Sequence, residues 1–415
     1  MSFGIALSGL DAAQSDLNTT ANNIANASTT GFKSSNAEFS ELFSSSQSGL
    51  SSLQIGGGVQ LSQVQQQFGQ GDITTTGNSL DLALNGNGFF TVSNAGATQY
   101  TRAGSFTTNN QGYVVNAQGQ FLQVYAPTTS GSFNTTSLQS LQVPTGDSAP
   151  TATTTASMVF NLPADASAPA DTPFSPADAN SYNQSTSLTV YDSLGAAHTA
   201  SFYFVNTGAG AWDAYESIDG TQVNTTPVQL TYSSSGALTG VTDAGGGTNP
   251  EQIDFGAYTP TTGGAAMDIK YNLDDTTQYG DTFGVTSQTQ NGYTTGQLSG
   301  VSVSSSGVIQ ANYTNGQSTV LGQVAIANFP DVEALQQVDN TNWVQTYASG
   351  AAVYGQAGGA GFGTLESGSL ESSNVDITTQ LVNMITAQRA FQANAEMVST
   401  ENQITQTVIN IPSQG

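Results

Sequence analysis

The chain has 415 residues, of which only 8% are charged, and its 29 acidic against 4 basic side chains give a formal net charge of −25. Such a surface repels phosphate backbones and anionic lipid, which excludes nucleic-acid binding. The absence of cysteine excludes disulfides, thiolate metal sites and cysteine nucleophiles, and fits an exported protein, while the length predicts roughly two to four domains.

Phe3, Leu10, Leu17 and Ile24 recur every seven residues, with Ala6, Ala13 and Ala21 widening the stripe, and predict an amphipathic helix over residues 2–26. Gly9 inside it costs about 1 kcal/mol relative to Ala, so the isolated helix is marginal. No Lys or Arg precedes Lys33 and no long apolar core is present, so the start does not read as a Sec-type signal. Nothing in the chain reaches the length of a membrane span. Residues 27–58 read as an extended connector with a brief amphipathic patch at Phe39, Leu42 and Phe43.

From Gly69 the period becomes two. Leu80, Leu82 and Leu84 alternate with polar residues, and Asn85-Gly86-Asn87-Gly88 before Phe89-Phe90-Thr91-Val92 predicts a hairpin. A second hairpin is predicted around Asn116-Ala117-Gln118-Gly119. Residues 145–184, rich in Pro, Ala, Ser and Thr, read as a boundary with loops. Strands at 187–191 and 200–205 then bracket Asp192-Ser193-Leu194-Gly195, and further strands are predicted at 228–232, 237–241, 253–258 and 267–273, forming a second β unit that ends near Gly284. Strands at 301–303, 308–313 and 318–326 return the chain to the first unit. A short helix is predicted at 331–338 after Pro330, and 355–363 reads as a flexible glycine-rich loop.

The last helix is predicted to open with Ser373-Asn374-Val375-Asp376, the spacing of a capping box, and to stop at Pro412. Leu370, Ile377, Met384, Phe391 and Val398 form a second heptad. Ile377, Leu381, Met384, Phe391 and Ala395 share one face of this helix, whereas Met397, Ile404, Val408 and Ile411 fall roughly opposite. One partner cannot bury both faces. The candidate self-assembly residues are therefore Phe3, Leu10, Leu17, Ile24, Ile377, Leu381, Met384, Phe391, Val398, Ile404, Val408 and Ile411. Both ends are expected to stay largely disordered in a free subunit.

Three segments carry a resemblance. Residues 21–33 (Ala-Asn-Asn-Ile-Ala-Asn-Ala-Ser-Thr-Thr-Gly-Phe-Lys), residues 81–90 with Tyr100-Thr101-Arg102-Ala103-Gly104-Ser105-Phe106, and residues 373–394 resemble, in order, the signatures of the axial rod and hook proteins of the bacterial flagellum. Residues 187–199 look like the outer domain of the hook branch, a large central insertion that distal rod proteins lack.

The resemblance implies a multidomain fold: an α-helical coiled-coil terminal domain (1–30 with 370–415), an extended connector (31–70), and two mainly-β domains (71–144 with 285–369, and 145–284 as the outer one), nested so that the N- and C-terminal segments pair. It implies a structural subunit that polymerises helically into a short curved hollow tube, a universal joint between rod and filament. The partners implied are further copies of the chain, the distal rod protein, a hook cap protein, hook–filament junction proteins and the flagellar type III export apparatus, with neither nucleic acid nor membrane insertion. The place implied is the flagellum at the extracellular surface, reached without a cleaved signal peptide.

No catalytic site, cofactor or metal is expected. His198 is the single histidine and reads as a structural hairpin residue; Gly56-Gly57-Gly58 and Gly86-x-Gly88 lack the context of a phosphate loop, and Asp274, Asp275 and Asp281 do not have the spacing of a known calcium loop. Arg389 is expected to pair with Asp11, Asp16 or Glu396. Asn22, Asn23 and Asn26 suit capping, a polar face or contacts between subunits equally. The rivals are a distal rod protein and a secreted β-rich polysaccharide-active enzyme or adhesin; terminal heptads have no use in the latter.

Overall fold

The computed structural model describes residues 2–42, 56–243, 245–249 and 252–409. The chain divides into two compact units, one comprising Met1–Thr145, Gly300–Asn312 and Ser318–Gly415, the other Gly146–Ser299 and Tyr313–Gln317.

The first unit holds both chain ends. Its helices are α1 (Ser2–Ala25) and α2 (Ile377–Ile409). The capping-box reading needs correction: Asp376 itself is the N-cap, accepting at Oδ1 from the backbone N–H groups of Thr378 at 2.8 Å and Thr379 at 3.2 Å, which hold its carboxyl below the usual range. Asn374 is drawn away from the helix, accepting from Ser34 N–H at 2.8 Å and donating to the Gln67 carbonyl at 2.8 Å, so the backbone turns helical only after it. Pro412 lies outside the described residues.

The connector is more ordered than predicted. Ser35–Glu41 pairs antiparallel with Val59–Gln66 as a two-stranded ribbon. The alternation in Val-Gln-Leu-Ser-Gln-Val-Gln-Gln is a period-two signal that the polar composition hides. Phe43 of the predicted patch lies outside the described residues, while Phe39 and Leu42 are exposed.

A thirteen-stranded sheet forms the body of this unit, with Ser318–Val324, Phe121–Pro127, Phe89–Asn94, Ala97–Thr101 and Asn342–Val344 adjacent in that order. Phe90, Val92, Phe106, Leu122, Val124 and Ile326 pack in its main core, and Phe89, Tyr100, Phe329 and Trp343 in a smaller aromatic one. The Asn-Gly signal at 85–88 does not close a hairpin. Leu82–Asn85 pairs with Thr364–Ser367, whereas Phe89–Asn94 pairs with Ala97–Thr101, so the turn carries the chain between sheets. The tight hairpin falls one strand later, where Ala95 and Gly96 take positive φ (49° and 91°) as a type I′ turn requires. The hairpin at 116–119 forms as predicted, with Val115 opposite Phe121. The helix at 331–338 does not form: a turn leads into the short strand Gln336–Gln337, which pairs with Asn342–Val344. Sheet pairing overrides a weak local helical pattern there. In 355–363, Ala357 is buried in the main core, so this glycine-rich stretch is packed rather than free.

The second unit contains a six-stranded antiparallel sheet running Gln184–Tyr191, Ala197–Gly208, Ala211–Ile218, Val228–Tyr232 and Leu238–Thr242, with Thr221–Gln222 at its side. Ile253–Tyr258, Met267–Asn272, Thr155–Pro163, Thr277–Tyr279 and Gly284–Gln290 make a five-stranded sheet. Side chains of both sheets enter one core, including Phe160, Phe202, Phe204, Trp212 and Tyr271. Thr155–Pro163 sits where a loop-rich boundary was predicted; its alternation of buried Ala156, Met158, Phe160 and Leu162 makes it a half-buried strand.

Two buried titratable groups of this unit point the same way in pH. Glu216 is desolvated by burial, which pushes its carboxyl up to about 7 despite the hydrogen bond donated by Tyr271 Oη at 2.5 Å. His198 lies between Asp219 (Nδ1 to Oδ2, 2.6 Å) and Asp192 (Nε2 to Oδ2, 3.3 Å). Burial opposes the imidazolium, but these carboxylates outweigh it and raise its pKa. Each folded pKa exceeds its unfolded value. For Glu216, stability present at pH 4.5 is lost as pH rises towards 7; for His198, it is lost as pH climbs past the ordinary histidine value. Glu216→Gln should therefore stabilise the second unit at pH 8 by on the order of 3 kcal/mol and reduce the fall of its stability between pH 5 and 8. Urea unfolding of the full chain followed by Trp212 fluorescence, with Trp343→Phe removing the other unit's signal, measures this; an unchanged pH slope refutes it.

Candidate self-assembly surface

α1 and α2 lie antiparallel. Asn23 near the end of α1 donates from Nδ2 to Gln380 Oε1 at 3.2 Å near the start of α2, Gly9 packs on Asn394, and Ala6 shares a hollow with Met397. Small residues line the joint: Ala6, Ala13 and Thr20 on α1 and Ala387 on α2 are buried. A Cβ on Gly9 would approach the Asn394 side chain to 2.8 Å, so glycine lets the helices close up at that point.

The large heptad residues are only partly covered within one chain. Leu10, Leu17 and Ile24 of α1, and Met384, Phe391 and Val398 of α2, are half-buried beside the joint. Phe3, Leu7, Ile377, Leu381, Val382, Ile385, Met397 and Ile404 remain 45–59% exposed. At about 100° per residue, Ile377 and Leu381 lie on one side of the line through Gln380, Ala387 and Asn394, and Met397 and Ile404 on the other. The pair thus presents apolar side chains on both flanks. Val408 belongs to α2, and Ile411 lies outside the described residues.

Arg389 is exposed and, among the described residues, forms no ion pair. The expected partners are elsewhere: Asp16 faces Gln380 and Asn383 across a polar hollow, Glu396 lies beside Ala6, and Asp11 is exposed with no ion pair among the described residues. Asn23 is buried and bonds twice to Ser35, accepting from its N–H at 2.9 Å and donating to its carbonyl at 2.7 Å. It therefore fixes the exit of α1 to both α2 and the ribbon. Asn26 donates to the Asn22 carbonyl at 2.9 Å, a helix-end role.

A buried charge cluster, unseen in the sequence, anchors the helix pair to the sheet. Lys33 Nζ meets Glu371 Oε1 at 2.7 Å and the Gly69 carbonyl at 2.7 Å. Arg102 Nη1 meets Glu371 Oε2 at 3.3 Å, and its Nη2 donates to the Gly86 carbonyl at 2.7 Å. Burial pushes the Lys33 ammonium and the Arg102 guanidinium below their ordinary values, and Glu371 opposes both shifts. Gly31 closes the approach: with φ at +68°, a Cβ there would sit 2.4 Å from Ala103 N. The exit of α1, the Arg102 turn and the lead into α2 thus meet at one carboxylate. The available signal was scarcity, since two of only four basic residues are spent here.

Four family models match the chain. They are "Flagella basal body rod protein" over residues 3–33, "Flagellar hook protein FlgE/F/G D1 domain" over 83–159, "Flagellar basal body protein FlaE D2 domain" over 161–293, and "Flagellar basal body rod FlgEFG protein C-terminal" over 366–411. The flagellar hook protein FlgE of Escherichia coli (strain K12) is 38% identical, covering 99% of this chain and 100% of the relative. That of Salmonella typhimurium is 38% identical with the same shares, and that of Brucella suis biovar 1 is 32% identical over 98% of this chain and 97% of the relative. A crystal structure of Helicobacter pylori flagellar hook protein FlgE2 shares the fold with a TM-score of 0.51 at 14% identity, covering 72% of this chain and 100% of that one.

Proposed function

Since the chain belongs to the flagellar hook protein family, we propose that its two ends are the elements through which it polymerises as a hook subunit. It is a structural protein of the bacterial flagellum, in a family not known for enzymatic activity. One observation carries the reading: apolar side chains lie half-exposed on both flanks of the helix pair, more than one neighbouring helix can cover.

Neighbouring copies bury these flanks, at about 25 cal/mol per Å² of apolar surface removed from water. The contacts are heterologous, so they do not close and a filament grows. Residues 1–30 and 370–415 form an inner coiled-coil layer, 31–70 the connector, the remaining strands of the first unit the middle layer, and the second unit, which runs to 299 rather than ending near 284, the outer one. The ends gain their full order on joining the polymer. The product is a curved hollow tube at the cell exterior, meeting the distal rod protein below and the junction proteins above. Its subunits are delivered through the type III export apparatus without a cleaved signal and added beneath a cap.

A distal rod protein is the rival. The match of the outer segment at 161–293 and the near-complete coverage of hook proteins favour the hook. Electron microscopy of concentrated purified chain tests it. Curved tubes are expected; straight tubes would favour the rod, and discrete particles would refute polymerisation.

A further inference from the structure

Tyr347 is the most exposed large aromatic or apolar side chain among the described residues, yet the turn that bears it is firmly built. Thr346 N–H donates to Ser349 Oγ at 2.9 Å, Ser349 N–H donates to Thr346 Oγ1 at 3.1 Å, and Thr346 Oγ1 donates to the Ala334 carbonyl at 2.7 Å. Ser349 is fully buried, and Gly350, at φ +76°, packs on Pro330. A rigid turn displaying a fully solvated phenol is a preorganised anchor: docking the ring orders little else, and tyrosine is among the residues enriched at binding hot spots.

The same unit carries a matching recess. A cavity of about 660 Å³ is lined by Tyr113, Phe121, Gln139, Ser140, Gln142 and Leu321. Tyr113 and Phe121 meet edge to face at 5.2 Å and with Leu321 are half-buried, so two rings and a leucine share the lining with polar Gln139, Ser140 and Gln142. Neither the lining nor residues 345–354 carries a charge. Two copies each at −25 repel, so contact is cheapest where uncharged surfaces meet.

We propose that Tyr347 of each copy inserts into this recess on the next copy. The inference rests on the hook-subunit reading and names one contact of that polymer. Tyr347 does not fill the recess of its own copy, since its side chain is fully solvated. Asn342–Val344, which leads into the turn, is separated from Phe121–Pro127 by Phe89–Asn94 and Ala97–Thr101, about 14 Å across the sheet. Knob and recess therefore belong to different copies, each copy offers both, and the contact propagates without closing.

The cysteine-free chain allows a clean test. The double variant Tyr347→Cys with Gln139→Cys, polymerised and then oxidised, should give a ladder of covalent multimers on a non-reducing gel; each single variant should not. In parallel, Tyr347→Ala should raise the critical concentration for polymerisation roughly tenfold. Gln139→Trp, which fills the recess from an exposed position, should do the same, and combining the two should add little. Tyr347→Phe should stay near the original chain. Tubes of the double-cysteine variant without a ladder, or Tyr347→Ala polymerising at the original concentration, overturns the contact and leaves the hook reading standing. If the unaltered chain forms only discrete particles, the hook reading itself has failed.

Discussion

Leu381→Asp and Ile404→Asp, each made alone, should abolish polymerisation at concentrations where the original chain forms tubes, while both β units melt unchanged. Both side chains are about half exposed in the single chain (46% and 53%), so replacing either costs the isolated subunit no more than about 0.5 kcal/mol. In the proposed polymer the same position would be buried against a neighbour. A carboxylate there meets apolar surface, and the desolvation cost is several kcal/mol for every subunit added. A penalty of 3 kcal/mol or so raises the critical concentration by roughly two powers of ten. Leu381 and Ile404 lie on opposite sides of the α1 joint, so the pair of variants also asks whether α2 has neighbours on both flanks. Sedimentation and electron microscopy across a concentration series provide the readout. If Ile404→Asp polymerises normally while Leu381→Asp does not, only one flank is covered. If both polymerise normally, the helix pair is not the polymerising element.

The sequence made the two helices and most strands of the second unit legible, because heptads and alternation are strong local signals. The pairing of strands was less legible. Asn85-Gly86-Asn87-Gly88 looks like a hairpin, yet its flanking strands join Thr364–Ser367 and Ala97–Thr101, choices set by residues far along the chain. Thr155–Pro163 was hidden because its polar flanks mask four buried apolar side chains at alternate positions. At the assembly surface, the large heptad residues attract attention, whereas the joint within one chain is made by Ala6, Ala13, Thr20 and Ala387. Small residues allow close approach but leave little hydrophobic signature. Arg389 was assigned a carboxylate partner from scarcity alone, and helix register decides otherwise. The charge cluster left only the scarcity of cations as a signal: Lys33, Arg102 and Glu371 are far apart in sequence, and only the fold brings them within ion-pair distance.

That cluster yields the second large effect. Glu371→Gln should destabilise the first unit by about 3–5 kcal/mol, because it strands two buried cations without a counter-charge. The Lys33 and Glu371 side chains are fully buried and Arg102 nearly so, which leaves water unable to compensate. The amide keeps the shape and can still accept hydrogen bonds from the Lys33 ammonium and the Gly71 N–H that now meet Oε1, so the loss measures charge rather than packing. Lys33→Met should cost less, since Arg102 retains Glu371 at 3.3 Å and the unpaired charge disappears with the lysine. Urea unfolding followed by Trp343 fluorescence, with Trp212→Phe silencing the second unit, separates the cases; equal losses for the two variants would mean that the cluster acts by packing. The consequence for assembly follows from position. Glu371 lies six residues before α2, and Lys33 eight residues beyond α1, so the cluster fixes how the helix pair leaves the sheet. Loosening it should broaden the angle between helices and sheet before the polymer forms, and Glu371→Gln chains should therefore nucleate tubes more slowly even at temperatures where their β units remain folded.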